Sequence, residues 1–356
     1  MFAFTALHKG FLYNFAMNAQ PDSRFQQLTA WLQSQLGSAN FNIEPASADA
    51  SFRRYFRVRM QDESLIAMDA PPDKEDSHPF VRIAGYLAAM RINAPRVVAE
   101  NYTEGFFLLS DLGHRHYLAV LNPQNASQLY ADAMQVLLTL QQQGAVYLRG
   151  LPPYDEALLL REMHLFRDWY LQTHLGCSLS DTQLATLDST FAFLAEQALA
   201  QPRVFVHRDY HSRNLMYVEP PGQNPGVLDF QDAVAGPLTY DLVSLLRDCY
   251  VAWPRSQVMD WVTDYHGKLH SAGLFTAISL DQFVRWFDLM GIQRQLKASG
   301  IFARLNHRDG KPGYLKDIPR TLGYLLQVAP AYPELQAFFG LLDELAIPTR
   351  LQQVSA

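Results

Sequence analysis

Cysteine is nearly absent: Cys177 and Cys249 are the only two in 356 residues, and they lie far apart. That excludes a disulfide framework and fits buried thiols in apolar, helical surroundings within a reducing compartment. A membrane span is also missing at the one place that invites it. The apolar opening from Met1 to Met17 is split by Lys9 and too short for a bilayer, and no A-x-A-like cleavage site follows. It reads as a frayed extension, with Met17 a candidate initiator and the cytoplasm the expected location. An excess of positive charge is lacking too. With 29 Lys and Arg against 35 Asp and Glu, the formal charge is −6, which argues against a general nucleic-acid binder. Internal repeats and low-complexity tracts are absent. What remains is 49% apolar and 18% charged, an ordinary globular composition, in a chain long enough for two lobes with separate cores.

The informative stretch is His207-Arg208-Asp209-Tyr210-His211-Ser212-Arg213-Asn214, followed by Val227-Leu228-Asp229-Phe230. H-R-D, an Asn five residues after the Asp and a later D-F form the grammar of kinase-like phosphoryl transfer. Leu215 to Val218 and Gly226 to Phe230 read as short strands around a turn-rich segment, 219–225. A hairpin centred near Gly222 would bring Asn214 and Asp229 side by side. Both are hard oxygen donors suited to Mg²⁺ held against nucleotide phosphates. Asp209, on the loop entering the hairpin, is then free to take the proton of an attacking hydroxyl. His207 is expected to brace this loop and Asp241 to cap the next helix or tie it to the loop, both as structural support. Arg208 flanks the loop, where it meets phosphate or forms a salt bridge, and His211 and Arg213 are expected to meet the substrate.

Upstream, the pattern predicts a helix over 27–36 and an alternating strand from Phe52 to Met60. Phe52, Phe56, Val58 and Met60 share one face of it; Arg53, Tyr55, Arg57 and Arg59 share the other. A strand over 64–70, a helix over 79–90 and strands over 96–100 and 106–110 follow. Asp111-Leu112-Gly113 reads as a hinge whose backbone pairs with adenine. The expected fold is α+β: a two-lobed protein-kinase-like arrangement with a small antiparallel-sheet N-lobe and a larger, mostly helical C-lobe. Residues 1–24 form the extension, 25–113 the N-lobe and 114–356 the C-lobe. Helices are predicted over 129–143, 154–174, 242–253, 257–269, 281–298 and 320–327. One kinase part is missing. The third strand reads Ile66-Ala67-Met68-Asp69 with no Lys, and the helix after it has no Glu. Ala48-Asp49-Ala50-Ser51 supplies small residues in place of a Gly-rich loop, making Ser51 and Phe52 candidates for the nucleotide. Arg54, Arg57 or Lys74 would then supply the missing positive charge.

Taken together, these residues resemble the aminoglycoside phosphotransferase family of kinase-like small-molecule kinases. Within it, the chain is most similar to the anomeric sugar kinases of cell-wall recycling. The wider resemblance rests on His207 to Asn214, Leu228-Asp229-Phe230 and Tyr240-Asp241-Leu242. The narrower one rests on 49–57, Met68-Asp-Ala-Pro-Pro72, Leu151-Pro-Pro-Tyr154, Leu160-Arg-Glu-Met163, Arg247-Asp-Cys-Tyr250 and 308–314. It implies transfer of the γ-phosphate of ATP, with Mg²⁺, to the anomeric hydroxyl of N-acetylmuramate or N-acetylglucosamine. It also implies a monomer whose product returns cell-wall sugar to peptidoglycan precursors, with no nucleic-acid or membrane partner. N-acetylmuramate carries a lactyl carboxylate, for which Arg308 and Lys311, with Arg161 behind them, are the candidates. Two readings compete: a kinase for an aminoglycoside or another small alcohol, and a nucleotide-binding pseudokinase.

Overall fold

The computed structural model describes residues 22–47, 52–61, 63–219 and 224–354. They divide into two compact units. One holds the residues up to Asp76 together with Val98–Ser110; the other holds Ser77–Val97 and everything from Asp111 onward.

The first unit opens on α1 (Ser23–Leu36). Asp22 caps it by accepting the Phe25 N–H at 3.1 Å, and Gly37 ends it at φ +61°, a left-handed position that glycine tolerates best. Its stripe of Leu28, Trp31 and Leu32 buries against Val58, Ala67, Phe106 and Leu108 of a five-stranded sheet. The strands are β1 (Asn42–Ser47), β2 (Arg54–Arg59), β3 (Ser64–Asp69), β4 (Val97–Asn101) and β5 (Phe106–Ser110), in the order β1-β2-β3-β5-β4. Antiparallel pairing sets Arg54 opposite Asp69. Phe52 departs from its expected place. It lies ahead of β2, beyond the strand pairings seen among the described residues, and is 62% exposed. Val58 is buried and Phe56 packs on the core as the alternation requires.

The second unit begins with α2 (His78–Ala89), which the sequence reading placed in the N-lobe. Its aromatic residues explain the grouping: Phe80 stacks on Phe230 with centroids 5.0 Å apart, and Tyr86 on Tyr147 at 4.3 Å. Next come α3 (Tyr117–Val120), α4 (Ala126–Gln143) and α5 (Glu156–Leu165), which runs straight into a π-helical segment, Phe166–His174. After α6 (Asp181–Leu199), β6 (Arg203–Val206) pairs with β9 (Val234–Pro237), and β7 (Leu215–Met216) pairs with β8 (Gly226–Val227). The remaining helices are α7 (Tyr240–Leu246), α8 (Arg255–Ser271), α9 (Leu280–His307), α10 (Ile318–Val328), α11 (Gln336–Glu344) and α12 (Ile347–Val354).

Three sequence expectations change here. The helix expected over 242–253 stops at Leu246, because the Asp248 carboxylate takes the N–H groups of Tyr250 and Ser212, both at 2.9 Å, and draws the chain out of helical form. The helix expected over 281–298 runs on to His307, past Gly300. A Cβ at Gly300 would sit 2.3 Å from the Leu165 backbone carbon, so glycine lets α9 lie directly on α5. Finally, Cys177 and Cys249 both lie outside helices, each as a free thiol. Among the described residues no helix is long and apolar enough to cross a membrane.

Candidate active site

The loop leaving β6 carries the H-R-D segment, and backbone strain marks it: Arg208 sits at φ +77° and Asp229 at φ +61°. Such positions persist only when neighbours fix them, and the neighbours are identifiable. Asp241, in the first turn of α7, accepts the N–H groups of His207 at 2.6 Å and Arg208 at 3.0 Å. Burial pushes its carboxyl up to about 7, while those two hydrogen bonds pull the other way. The His207 ring spans the loop and the second strand of the hairpin. Its Nδ1 takes the Asp209 N–H at 3.2 Å, which leaves Nε2–H to donate to the Leu228 carbonyl at 2.9 Å. That pattern needs a neutral imidazole, and burial lowers its pKa to about 4.

The hairpin then brings the three chemistry-bearing residues together. Leu215 pairs with Val227, and the Leu228 N–H donates to the Asn214 carbonyl at 2.9 Å. The Asn214 amide donates to the Asp209 carbonyl at 3.0 Å and to Asp229 Oδ2 at 3.2 Å, while Gln231 Nε2 holds Asp229 Oδ1 at 2.8 Å. The strands are shorter than the sequence suggests, two residues each, because the rest of each arm is diverted to the loop and the site.

Behind Asp209 lies a buried charge cluster for which the sequence reading had no place. Glu162 of α5 accepts from Arg208 Nη2 at 2.5 Å and Lys297 Nζ at 3.0 Å, and Tyr154 and Gln293 complete its shell. Lys297 also donates to the Tyr240 hydroxyl at 2.9 Å. The contact at Gly300 registers this pairing, since Lys297 and Glu162 each lie three residues before the touching positions Gly300 and Leu165. Burial alone would raise the Asp209 pKa, but Lys297, His211, Arg294 and Arg208 hold it below the ordinary carboxylate value. The carboxylate is therefore ionised at neutral pH. Arg208 points inward onto Glu162, so its guanidinium serves the cluster.

The other candidates lie outside this cluster, two of them together on one ring. Arg213 lies over the Tyr250 ring, 3.7 Å from its centroid. His211 packs edge-on to the same ring at 5.4 Å. Arg161 is exposed on α5, and its neighbour Glu162 takes the inward position. Arg308 is exposed and forks onto the adjacent Asp309 at 2.7 and 3.0 Å, while the Lys311 N–H donates to the Leu305 carbonyl at 2.9 Å. In the second unit, Asp111 and Gly113 close an Asx turn at 2.9 Å, and Leu112 meets Gly226 of the hairpin, where a Cβ would come within 2.9 Å of Cδ1. Ser51 lies outside the described residues.

In the first unit, the Asp that stands where protein kinases have Lys is fully buried and doubly clamped. Arg24 Nε and Arg54 Nε each donate to Asp69 at 2.9 Å, and their Nη2 groups complete two forks. Arg54 also reaches Asp22. Two carboxylates and two guanidiniums cancel, so Arg54 brings no surplus positive charge. Lys74 lies 5.1 Å from the Phe52 ring centroid. Asp69→Asn is expected to lower unfolding free energy by about 2–4 kcal/mol in urea titration. The lower part of that range is favoured because both guanidiniums keep solvent contact; an unchanged midpoint would refute a structural role for the clamp.

Residues 42–275 match the model of the phosphotransferase enzyme family. The chain belongs to that family. This phosphotransferase is 49% identical to the N-acetylmuramate/N-acetylglucosamine kinase of Pseudomonas aeruginosa, over 91% of its own length and 97% of the relative's. It is 42% identical to the enzyme of the same name from Neisseria meningitidis, covering 90% and 95%. Among solved structures it shares the fold of an ADP-bound aminoglycoside phosphotransferase (TM-score 0.55, 15% identity, 84% and 97% covered). It shares it also with a choline kinase from Streptococcus pneumoniae (TM-score 0.57, 10% identity, 86% and 99% covered).

Proposed function

We propose that this phosphotransferase is an ATP-dependent sugar kinase that phosphorylates the anomeric hydroxyl of N-acetylmuramate and N-acetylglucosamine. The observation carrying the reading is the cluster of Asp209, Asn214 and Asp229 on one loop and hairpin, in a chain up to 49% identical to kinases named for those two sugars. Asp209 orients the 1-hydroxyl and takes its proton as the oxygen attacks the γ-phosphorus; the bond to the β-γ bridging oxygen breaks and ADP leaves. A hemiacetal hydroxyl is more acidic than an ordinary alcohol, so a carboxylate with a lowered pKa is a sufficient base.

Asn214 and Asp229 would hold Mg²⁺, which neutralises the nucleotide phosphates when bound. The residues fit: Asn214 Oδ1 accepts no hydrogen bond among the described residues, and it adjoins a carboxylate. His207 and Asp241 keep the loop in its strained form. Lys74, beside Phe52, is the better candidate for a phosphate contact in the first unit, because its ammonium makes no ion pair among the described residues. Asp111 to Gly113 would present backbone groups to adenine. Two free thiols suit a reducing compartment such as the cytoplasm.

Phosphorus NMR of the product made from N-acetylmuramate and ATP tests the reading. A doublet coupled to the anomeric proton is expected; a phosphate on another hydroxyl, or no product from either sugar, would refute it.

A further inference from the structure

Most cations around the catalytic loop, buried or half-buried, have a carboxylate. Arg208 and Lys297 have Glu162, Arg247 and Arg255 have Asp288, and Arg320 has Asp317. Two do not. Arg294 of α9 is 6% exposed, and its hydrogen bond goes to Cys249 Sγ at 3.8 Å. Arg213, one residue before Asn214, touches rings alone: Tyr250 at 3.7 Å and Tyr314 at 5.7 Å. Among the described residues neither lies within ion-pair distance of an acid. Burial lowers the His211 pKa and both guanidiniums help to lower it, and its Nδ1 is buried without a hydrogen-bond partner. Arg294 feels Asp209 and Asp248 only at longer range, and half-buried Arg213 has no acid partner among the described residues; guanidinium forks left open suit an incoming carboxylate.

The surroundings indicate which anion. Tyr314 belongs to a 3₁₀ turn, Pro312–Asp317, and stacks on Phe302 of α9 with centroids 5.7 Å apart and planes 18° from parallel. Tyr250 lies 6.3 Å from Phe302, held by Asp248, which also fixes the Ser212 N–H of the catalytic loop. These walls come from the α7–α8 link, α9 and the 3₁₀ turn, and the residues that would hold metal and phosphates stand on the β7–β8 hairpin. Stacked aromatic rings beside a planar cation suit a sugar's apolar face with a carboxylate attached.

We infer that Arg213 and Arg294, walled by Tyr250, Phe302 and Tyr314, form an acceptor subsite for the carboxylate of N-acetylmuramate's lactyl ether. The inference rests on the sugar-kinase reading and deepens it. It moves carboxylate recognition from Arg308 and Lys311 to the catalytic loop itself. N-acetylglucosamine lacks that carboxylate and would leave the two guanidiniums without an anion, so the subsite ranks the two sugars.

The test is kcat/KM for both sugars in wild type, Arg213→Gln and Arg213→Lys, each checked for a cooperative melt, with Arg294→Lys as a second probe. Arg213→Gln is expected to lower the N-acetylmuramate to N-acetylglucosamine ratio by about tenfold to a hundredfold, mostly through KM for N-acetylmuramate. Arg213→Lys, keeping charge but not the fork, should recover part of it. Equal losses on both sugars, or a rise confined to the KM for ATP, would overturn the subsite while leaving the sugar-kinase reading intact. Wild-type enzyme that turns over neither sugar would bring down both.

Discussion

Asp209→Asn is expected to cut kcat by about 10²- to 10⁴-fold, the range over which a positioned base acts in a transition state. The dissociation constant for Mg-nucleotide should stay within about threefold of wild type, a shift of under 1 kcal/mol. The amide keeps the volume and can still orient the sugar hydroxyl, but it accepts no proton. Geometry favours a clean separation of effects. Asn214 contacts Asp209 through the backbone carbonyl of residue 209, so the substitution leaves that hydrogen bond in place. Asp229 keeps its contacts with Asn214 and Gln231. Isothermal titration with a non-hydrolysable nucleotide, beside single-turnover rates, reads the two quantities independently. Nucleotide affinity falling in step with kcat would place Asp209 among the phosphate-binding groups and remove it as the base.

How much of this was legible beforehand follows from sequence distance. The hairpin brackets a turn-rich segment, so the meeting of Asn214 with Asp229 could be read from spacing alone. Antiparallel strands equidistant from a turn must meet. Four of the five strands of the first unit's sheet were readable from local patterns, the alternation expected over 52–60 and the runs near 64–70, 96–100 and 106–110, whereas β1 was not. The Asp69 clamp was half legible. The missing Lys showed, but not that the ion pair had reversed polarity, with the acid on β3 and the cations on α1 and β2. The Glu162 cluster was not legible, because Arg208 and Glu162 lie 46 residues apart and Lys297 comes from a third element. One signal pointed that way. Arg294 and Lys297 recur at helical spacing, and Gly300 adds a smooth patch one turn further along, where a solvent-facing helix gains nothing from glycine. The early stop of α7 was only partly local: Asp248 takes the nearby Tyr250 N–H, but also the Ser212 N–H of a distant loop.

Glu162 is where removal of a single charge should matter most for stability. Burial would raise its pKa, but Lys297 and Arg208 keep it ionised, with its pKa below the ordinary value. In Glu162→Gln, two cations with side chains only 20% and 10% exposed lose their contact anion and keep only the longer-range charge of Asp209. Breaking one partner of such a buried group costs about 3–5 kcal/mol, readable as a lower midpoint in urea. The pH dependence has a definite sign. In wild type Glu162 supports the ammonium of Lys297, whose pKa is raised. Without that anion, burial, the largest influence on Lys297, and Arg208 are expected to outweigh Tyr240 and Asp209 and depress its pKa below the unfolded value, so that the unfolded chain binds the extra proton and stability climbs with pH. The deficit of the variant should therefore shrink from pH 7 toward about 10. Adding Lys297→Met should recover much of the loss even at neutral pH, because Arg208 then keeps its remaining solvent contact without a second cation beside it. A penalty below about 1 kcal/mol, flat with pH, is the behaviour of a solvated surface pair; it would show that water reaches Glu162 and that the positive field on Asp209 has another source.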